Sequence, residues 1–327
     1  MSEFVNPFDA ASFTSGTATI PPPAYDPSVN VTIFYRHYKP SSSSSVRPIL
    51  LLHGHPQTHV IWSTVAPALA QTGKWEVVVP DNRGNGSSSA PEGKSEEGYS
   101  RYSKREMARD MVVLMESLGH KEFWVVAHDR GARIAHRLAL DWPERVRKMV
   151  LLDIAPTLDM YETTDVRFAS AYWHWFFLLQ PSLPEAFIGA NPQAYLDALV
   201  TRFPRTNPST ASSSTQAVDL WRTTWYLENL ARPESAHAMC EDYRASSPHN
   251  GIDLTLDRKD RQEGRKVKCP VKVLWGNHGV IQLMYGGGLE LWKKCCEEVD
   301  GEGLDCGHYI PEEAPGRVVE VVHEFFA

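Results

Sequence analysis

The residue most able to do chemistry in this sequence is Asp129. It sits on a corner between the apolar run Phe123-Trp124-Val125-Val126-Ala127-His128 and a helix beginning at about Ala132, with small residues, Ala127 and Gly131, two before and two after it. A strand-to-helix turn of this kind thrusts its corner side chain out at the carboxyl edge of a sheet. A carboxylate in that position can displace a leaving group from saturated carbon and become an ester that water must later cleave. Taken alone, Asp129-Arg130-Gly131 is equally an ordinary turn with a helix-capping Asp. Two further residues weigh against that reading. Asp153 ends the next apolar strand, Lys148–Leu152, and His308 lies on a loop about 20 residues before the end of the chain. Strand, turn, helix, strand is a right-handed parallel crossover, which brings Asp129 and Asp153 to neighbouring strand ends on one edge. Nucleophile, acid, histidine is also the chain order of a charge-relay triad.

The elements that must position these residues are legible on either side. Val31–Tyr35 reads as an early strand after a Pro-, Thr- and Ser-rich tail, and Ser41–Ser45 as a turn. Pro48–Leu52 is fully apolar, as in a strand buried on both faces of a parallel sheet, and runs into His53-Gly54-His55-Pro56-Gln57. Trp75–Val79 is a further strand. The loop Pro80–Ser87 after it is glycine-rich but lacks the Gly-Lys-Ser/Thr of a phosphate cradle, so it reads as a turn. Lys104–Leu118 carries Met107, Met111, Leu114, Met115 and Leu118 on one helical stripe, ending before Gly119. From about Pro156 to Arg258 the alternation of strand and helix stops and aromatics accumulate, which suggests a helical cap with a polar loop, Asn207–Gln216, inside it. The alternation resumes with a strand at Val271–Gly276, a helix at about Gly287–Glu297, a short last strand and a closing helix to Phe326. The expected fold class is therefore α/β, a mostly parallel central sheet flanked by helices. Its core is split into residues 1–155 and 259–327 around a cap at 156–258.

Composition narrows the partners. With a formal charge of −7 and both signs mixed along 327 residues, there is no basic stripe for nucleic acid, and a small molecule is the expected ligand. No long apolar run opens the chain, so neither a signal peptide nor a membrane span is expected, and the expected location is cytoplasmic. The cysteines Cys240, Cys269, Cys295, Cys296 and Cys306 lack metal-type spacing and fit reduced thiols. His53, His55 and His59 resemble the opening of a metallohydrolase site, but no further ligands follow closely. A packed His53 with its ring nitrogens satisfied by loop backbone is the plainer reading. Neither metal nor cofactor is expected.

Together these stretches resemble the α/β-hydrolase superfamily, and within it the fluoroacetate (haloacetate) dehalogenases. The likeness rests on His-Asp-Arg-Gly-Ala-Arg at 128–133, Leu-Asp-Ile-Ala-Pro-Thr at 152–157, His174-Trp175-Phe176-Phe177, Glu241-Asp242-Tyr243-Arg244, Leu274-Trp275-Gly276 and Asp305-Cys306-Gly307-His308. It implies Asp129 as nucleophile, Asp153 and His308 as the relay that activates water, and backbone N–H groups of His55 and Arg130 as an oxyanion hole. Arg130 and Arg133, one helical turn apart, would hold the substrate carboxylate, and planar bidentate recognition suits guanidinium. His174, Trp175 and Tyr243 would receive the halide, with Tyr226 a competitor for the last role. The implied reaction is hydrolysis of a 2-halo acid such as fluoroacetate or chloroacetate to glycolate and halide. Homodimers are common in that family. Two departures stand out: His55 replaces a more usual aromatic, and Asn277-His278-Gly279 adds a histidine near the active edge. The alternatives are an epoxide hydrolase using the same Asp129, Asp153 and His308 with Tyr226 or Tyr243 as acid, and a ligand-binding relative without turnover.

Overall fold

The computed structural model describes residues 4–41, 46–93, 95–200 and 213–327. Eight strands form one sheet: β1 (Thr14–Ile20), β2 (Val31–Tyr38), β3 (Arg47–Leu52), β4 (Trp75–Pro80), β5 (Phe123–His128), β6 (Val146–Leu152), β7 (Val271–Gly276) and β8 (Val299–Leu304), in the spatial order 1-2-4-3-5-6-7-8. β1 and β2 pair antiparallel, as do β2 and β4, and every pairing from β4 across to β8 is parallel. All six parallel strands therefore end on one edge, and β5 lies between β3 and β6.

The apolar runs behave as strands covered on both faces. Leu50, Leu52, Val125, Ala127 and Leu151 point to the layer holding Met107, Met111, Leu114 and Met115 of the helix Lys104–Ser117 and much of the helix Arg130–Asp141. Their neighbours Ile49, Leu51, Val126, Val150 and Leu152 point the other way, to the helices Val65–Gln71 and Pro315–Phe325. This is the two-residue period of a strand sandwiched between helical layers. Between β6 and β7 every described element is a helix, from Thr157–Glu162 to Ile252–Gln262, with a third apolar cluster of its own around Trp175, Tyr226 and Tyr243. No helix among the described residues is long and apolar enough to cross a membrane.

Three expectations are corrected. The polar tail contains β1, an edge strand whose antiparallel pairing with β2 runs from Thr14↔His37 to Ile20↔Val31. The helix expected at Gly287–Glu297 is instead two short ones, Val280–Tyr285 and Leu289–Trp292. Gly286, Gly287 and Gly288 between them all take positive φ, a conformation that ends a helix. Within the expected loop Asn207–Gln216, residues 207–212 lie outside the described residues, and the helix Ser213–Ala231 already covers the remainder. The expected turn at Ser41–Ser45 lies outside the described residues beyond Ser41.

Candidate active site

At the end of β5 the chain turns sharply enough that Asp129 adopts φ 48°, ψ −115° before the helix Arg130–Asp141 begins. A side-chain-bearing residue at that φ carries strain of about 1–3 kcal/mol, held in place by its surroundings. Two glycines make the corner fit. A Cβ on Gly131 would lie 2.5 Å from the His53 carbonyl oxygen, and one on Gly54 would lie 2.5 Å from the Cβ of Asp129. With hydrogens there instead, the loop after β3 closes on the elbow and the His55 N–H donates to Asp129 Oδ1 at 3.0 Å. Arg130 opens the helix, so its N–H has no acceptor one turn back.

Asp129 is only 5 % exposed. Burial pushes its carboxyl up, but the His308 and His128 imidazoles, the His55 N–H and the Arg133 guanidinium together outweigh that and hold it well below the usual carboxylate range. It is an ionised, poorly hydrated carboxylate.

The loops after β6 and β8 supply the other two residues. Asp153, fully buried and also at positive φ, accepts from the Gly276 N–H through Oδ1 (2.9 Å) and from His308 Nδ1 through Oδ2 (2.5 Å). With Nδ1–H directed at Asp153, the lone pair of His308 is on Nε2, the form needed for a general base. His128 lies against His308, ring centroids 4.8 Å apart, and its Nε2 meets the His308 carbonyl oxygen at 2.9 Å. Burial and His308 push the His128 imidazole down to about 3, so it is neutral and its Nε2–H donates to that carbonyl. His128 thereby pins the loop that carries His308.

The two guanidiniums beside Asp129 are buried and differently engaged. Arg130 gives Nε to Asp242 Oδ2 (2.6 Å) and Nη2 to the Asp242 carbonyl (2.7 Å) and Ser246 Oγ (3.2 Å). Asp242 also takes the Lys104 ammonium. Arg133 donates Nη1 to Thr157 Oγ1 (2.5 Å) and the Ala155 carbonyl (3.3 Å) and Nη2 to the Met160 sulfur, but makes no ion pair with a carboxylate among the described residues. Burial, and then the neighbouring Arg130, push its guanidinium down from the ordinary value. Arg130 Nη1 and Arg133 Nε have no hydrogen-bond acceptor among the described residues. Each guanidinium lies over an aromatic face, Arg130 at 4.1 Å from the Tyr243 ring centre and Arg133 at 4.8 Å from that of Trp175.

Those same aromatics meet His174. The helix Trp173–Leu178 buries His174 and Trp175, and the helix Pro233–Ala245 buries Tyr243, with ring centres 5.7 Å (His174 to Tyr243) and 6.2 Å (Trp175 to Tyr243) apart. The Trp175 indole N–H has no acceptor among the described residues. The His55 ring joins them, parallel to His174 at 6.1 Å and edge-on to Tyr243 at 5.4 Å, with Nε2 at 3.0 Å from the Tyr195 hydroxyl. Beside them, Pro56, Gln57, Leu196, Tyr226, Tyr309 and Glu312 line part of a cavity of about 180 Å³.

A strand-end carboxylate on an elbow, an acid one strand over and a histidine after the last strand, on a sheet of this order, is an arrangement with relatives. The family model described as alpha/beta hydrolase fold matches residues 47–313. This chain belongs to the α/β-hydrolase fold family. It is 36% identical over 280 residues, 85% of its length and 86% of the relative's, to a fluoroacetate dehalogenase of Burkholderia sp. To a soluble epoxide hydrolase of Corynebacterium sp. (strain C12) it is 28% identical, covering 89% of this chain and 93% of that one. A crystal structure of an alpha/beta hydrolase from Nostoc sp PCC 7120 superposes with TM-score 0.84 at 41% identity, covering 98% and 99% of the two chains.

In this hydrolase Asp129, Asp153, His308, the His55 N–H, Arg130, Arg133, His174, Trp175 and Tyr243 all gather around one edge of the sheet. Tyr226 lies in the cavity lining beside them, its hydroxyl donating to Glu312 Oε1 at 2.5 Å. His278 turns to the surface, where Nε2 meets Asp305 at 2.6 Å with both side chains at least half exposed. Backbone occupies both nitrogens of His53: Nδ1 faces the Gly54 carbonyl and Nε2 accepts from the Asn82 N–H. His59 bonds to Asp81, and no group of His, Cys, Asp or Glu among the described residues could hold a metal ion. Sequence reasoning missed Asp242, Thr157 and Tyr195. The first two stood inside quoted motifs, one residue from Tyr243 and four from Asp153, and a search for a counter-ion or donor to the arginines would have found them.

Proposed function

We propose that this protein hydrolyses 2-halo acids of the haloacetate type, releasing halide and a 2-hydroxy acid through an ester on Asp129, beneath a helical cap at residues 156–258. The observation that carries the reading is Arg133, a buried cation without a carboxylate partner among the described residues, one turn along the helix from the nucleophile. A haloacetate repels an ionised Asp129. A guanidinium that binds the substrate's carboxylate offsets that repulsion and orients the carbon for in-line attack.

Oδ1 of Asp129 is engaged by the His55 N–H, so Oδ2 is the attacking oxygen. It bonds to C2 as the carbon–halogen bond breaks, and halide leaves with the electron pair toward the His174, Trp175 and Tyr243 donors. His308, oriented by Asp153, then takes a proton from water that attacks the ester carbonyl. The N–H groups of His55 and Arg130 hold the oxyanion until it collapses to free Asp129 and product. A neutral epoxide would leave the guanidinium pair without a ligand, which argues against a general epoxide hydrolase.

The test is mass spectrometry of His308→Ala incubated with chloroacetate and fluoroacetate. The expected result is a stable carboxymethyl adduct on Asp129. An adduct elsewhere, or none while the wild type turns over, overturns the mechanism.

A further inference from the structure

We propose that the Tyr161 hydroxyl is a third donor to the substrate's carboxylate, beside Arg130 and Arg133, and so sets the affinity for 2-halo acids. The inference rests on the dehalogenase reading above and deepens it with a residue to which no sequence motif pointed.

Around the arginines, four buried donors have no acceptor among the described residues: Arg130 Nη1, Arg133 Nε, the Trp175 indole N–H and the Tyr161 hydroxyl. Buried donors in folded proteins are nearly always paired, so a group of them around two guanidiniums is a place that an anion completes. Tyr161 belongs to the arginines' side of that group. The helix Thr157–Glu162 meets the Arg133 guanidinium twice, through Thr157 Oγ1 and the Met160 sulfur, and Tyr161, one turn after Thr157, shares that face. The Tyr161 ring stands 4.9 Å, centre to centre, from that of Trp175, whose face lies over the same guanidinium. Only 8 % of Tyr161 is exposed. Burial pushes its hydroxyl up to about 12, against the pull of Arg130 and then of Arg133, so it keeps its proton and can donate it to a hydrogen bond.

A carboxylate presents two oxygens with about four lone-pair directions, enough for N–H groups of both guanidiniums and one hydroxyl. The acid group, and not the halide, is the acceptor for an electrostatic reason. The charged groups that act on the Tyr161 hydroxyl are Arg130, Arg133 and, behind them, Asp253, so the anion within its surroundings is the one those guanidiniums hold. A carboxylate also carries its charge from the moment it binds, whereas the halogen gains charge only as its bond to carbon breaks. A contact to the carboxylate is therefore equally strong before and during reaction. It lowers KM and leaves kcat alone.

The experiment compares wild type with Tyr161→Phe, which keeps the ring against Trp175 and removes one oxygen. KM and kcat for chloroacetate are measured beside the dissociation constant of acetate by titration calorimetry and the inhibition constant of bromide. The chloroacetate KM and the acetate constant should both rise about 10- to 100-fold, with kcat within about threefold and bromide within about twofold. Urea denaturation without ligand should show no loss of stability, because the hydroxyl has no partner among the described residues to lose. Lower stability with acetate binding unchanged marks a hydroxyl kept for structure and overturns this inference. So does a weakened bromide constant with that of acetate unmoved, which gives the hydroxyl to the halide. In both cases chloroacetate turnover leaves the dehalogenase reading standing. Wild type that neither turns over chloroacetate nor binds acetate removes that reading and this contact with it. If it binds acetate without turnover, the dehalogenase reading alone falls, and the acetate constant of Tyr161→Phe decides the contact.

Discussion

Two arginines on one helix, Arg133 and Arg137, should respond oppositely to replacement by methionine, which keeps much of the volume and removes the charge. Both are at most 3 % exposed. Arg137 is surrounded by carboxylates, with Nη2 at 2.5 Å from Asp257 and Nη1 at 2.6 Å from Asp260 and 3.3 Å from Asp141. Removing it strands Asp257, whose carboxyl burial already pushes up, so Arg137→Met should cost about 3–5 kcal/mol of stability. Arg133 has no such partner among the described residues, and folding works against its charge. Losing its bonds to Thr157 and Ala155 costs about 1.5–3 kcal/mol each, and relief of a buried, unpaired charge, itself several kcal/mol, offsets most of that. Arg133→Met should therefore stay within about 1.5 kcal/mol of the wild type in urea denaturation. Its activity should not survive: a buried charge-assisted contact to a substrate carboxylate is worth about 2–5 kcal/mol, or roughly 30- to 5000-fold in kcat/KM for chloroacetate. A stable variant with wild-type halide release would refute the clamp. A variant as destabilised as Arg137→Met would show that Arg133 is held for structure.

Further outcomes follow from the same geometry. Gly54→Ala places a methyl against Asp129 and displaces the His55 N–H, so halide release in steady state should fall about 10²–10³-fold while the chain still folds, measured beside circular dichroism. The carboxyl of Asp129 lies below its ordinary value, so it stays charged as pH falls; if it is the proposed nucleophile, single-turnover alkylation should be flat down to about pH 4, and a rise in rate with pH between 4 and 6 would contradict it. The same sign makes Asp129 a stabilising group above the unfolded value of about 3.9, with its contribution lost as pH falls through the depressed folded value. Asp129→Asn should thus be less stable than wild type at pH 7, and the gap should close in strong acid. His278→Ala removes an exposed pair and should change stability by less than about 1 kcal/mol and turnover by less than twofold.

The parallel half of the sheet was readable because strands covered on both faces must be apolar throughout, as Leu50–Leu52 and Val77–Val79 are. β1 was not, because Thr14-Ser15-Gly16-Thr17 lies at an edge, where one neighbour and open solvent make no hydrophobic demand. The elbow was legible for a steric reason at Gly131, where a Cβ would meet the His53 carbonyl, and Gly54 opens the same corner from the other side. Partners drawn from far along the chain left no local trace. Asp242 reaches Arg130 across 112 positions and Tyr195 reaches His55 across 140, and no spacing rule connects them.

That blind spot falls on the electrostatics. The two guanidiniums look equivalent in His-Asp-Arg-Gly-Ala-Arg, and the fold makes them unequal by giving Asp242 to Arg130. Asp242 is itself shared with Lys104. Arg130 is thus anchored and partly neutralised before substrate arrives, with Nη1 in reserve, whereas Arg133 keeps a poorly solvated charge. On the proposed function, a 2-halo acid's carboxylate would complete the charge balance of such a pair without competing with a resident one, so binding need not first break an ion pair. The same carboxylate would weaken the field of Arg133 on Asp129 and make Asp129 more basic at the moment the proposed reaction needs it to attack. An uncharged halocarbon would bring neither effect, and it should be a poor substrate even where it fits the space.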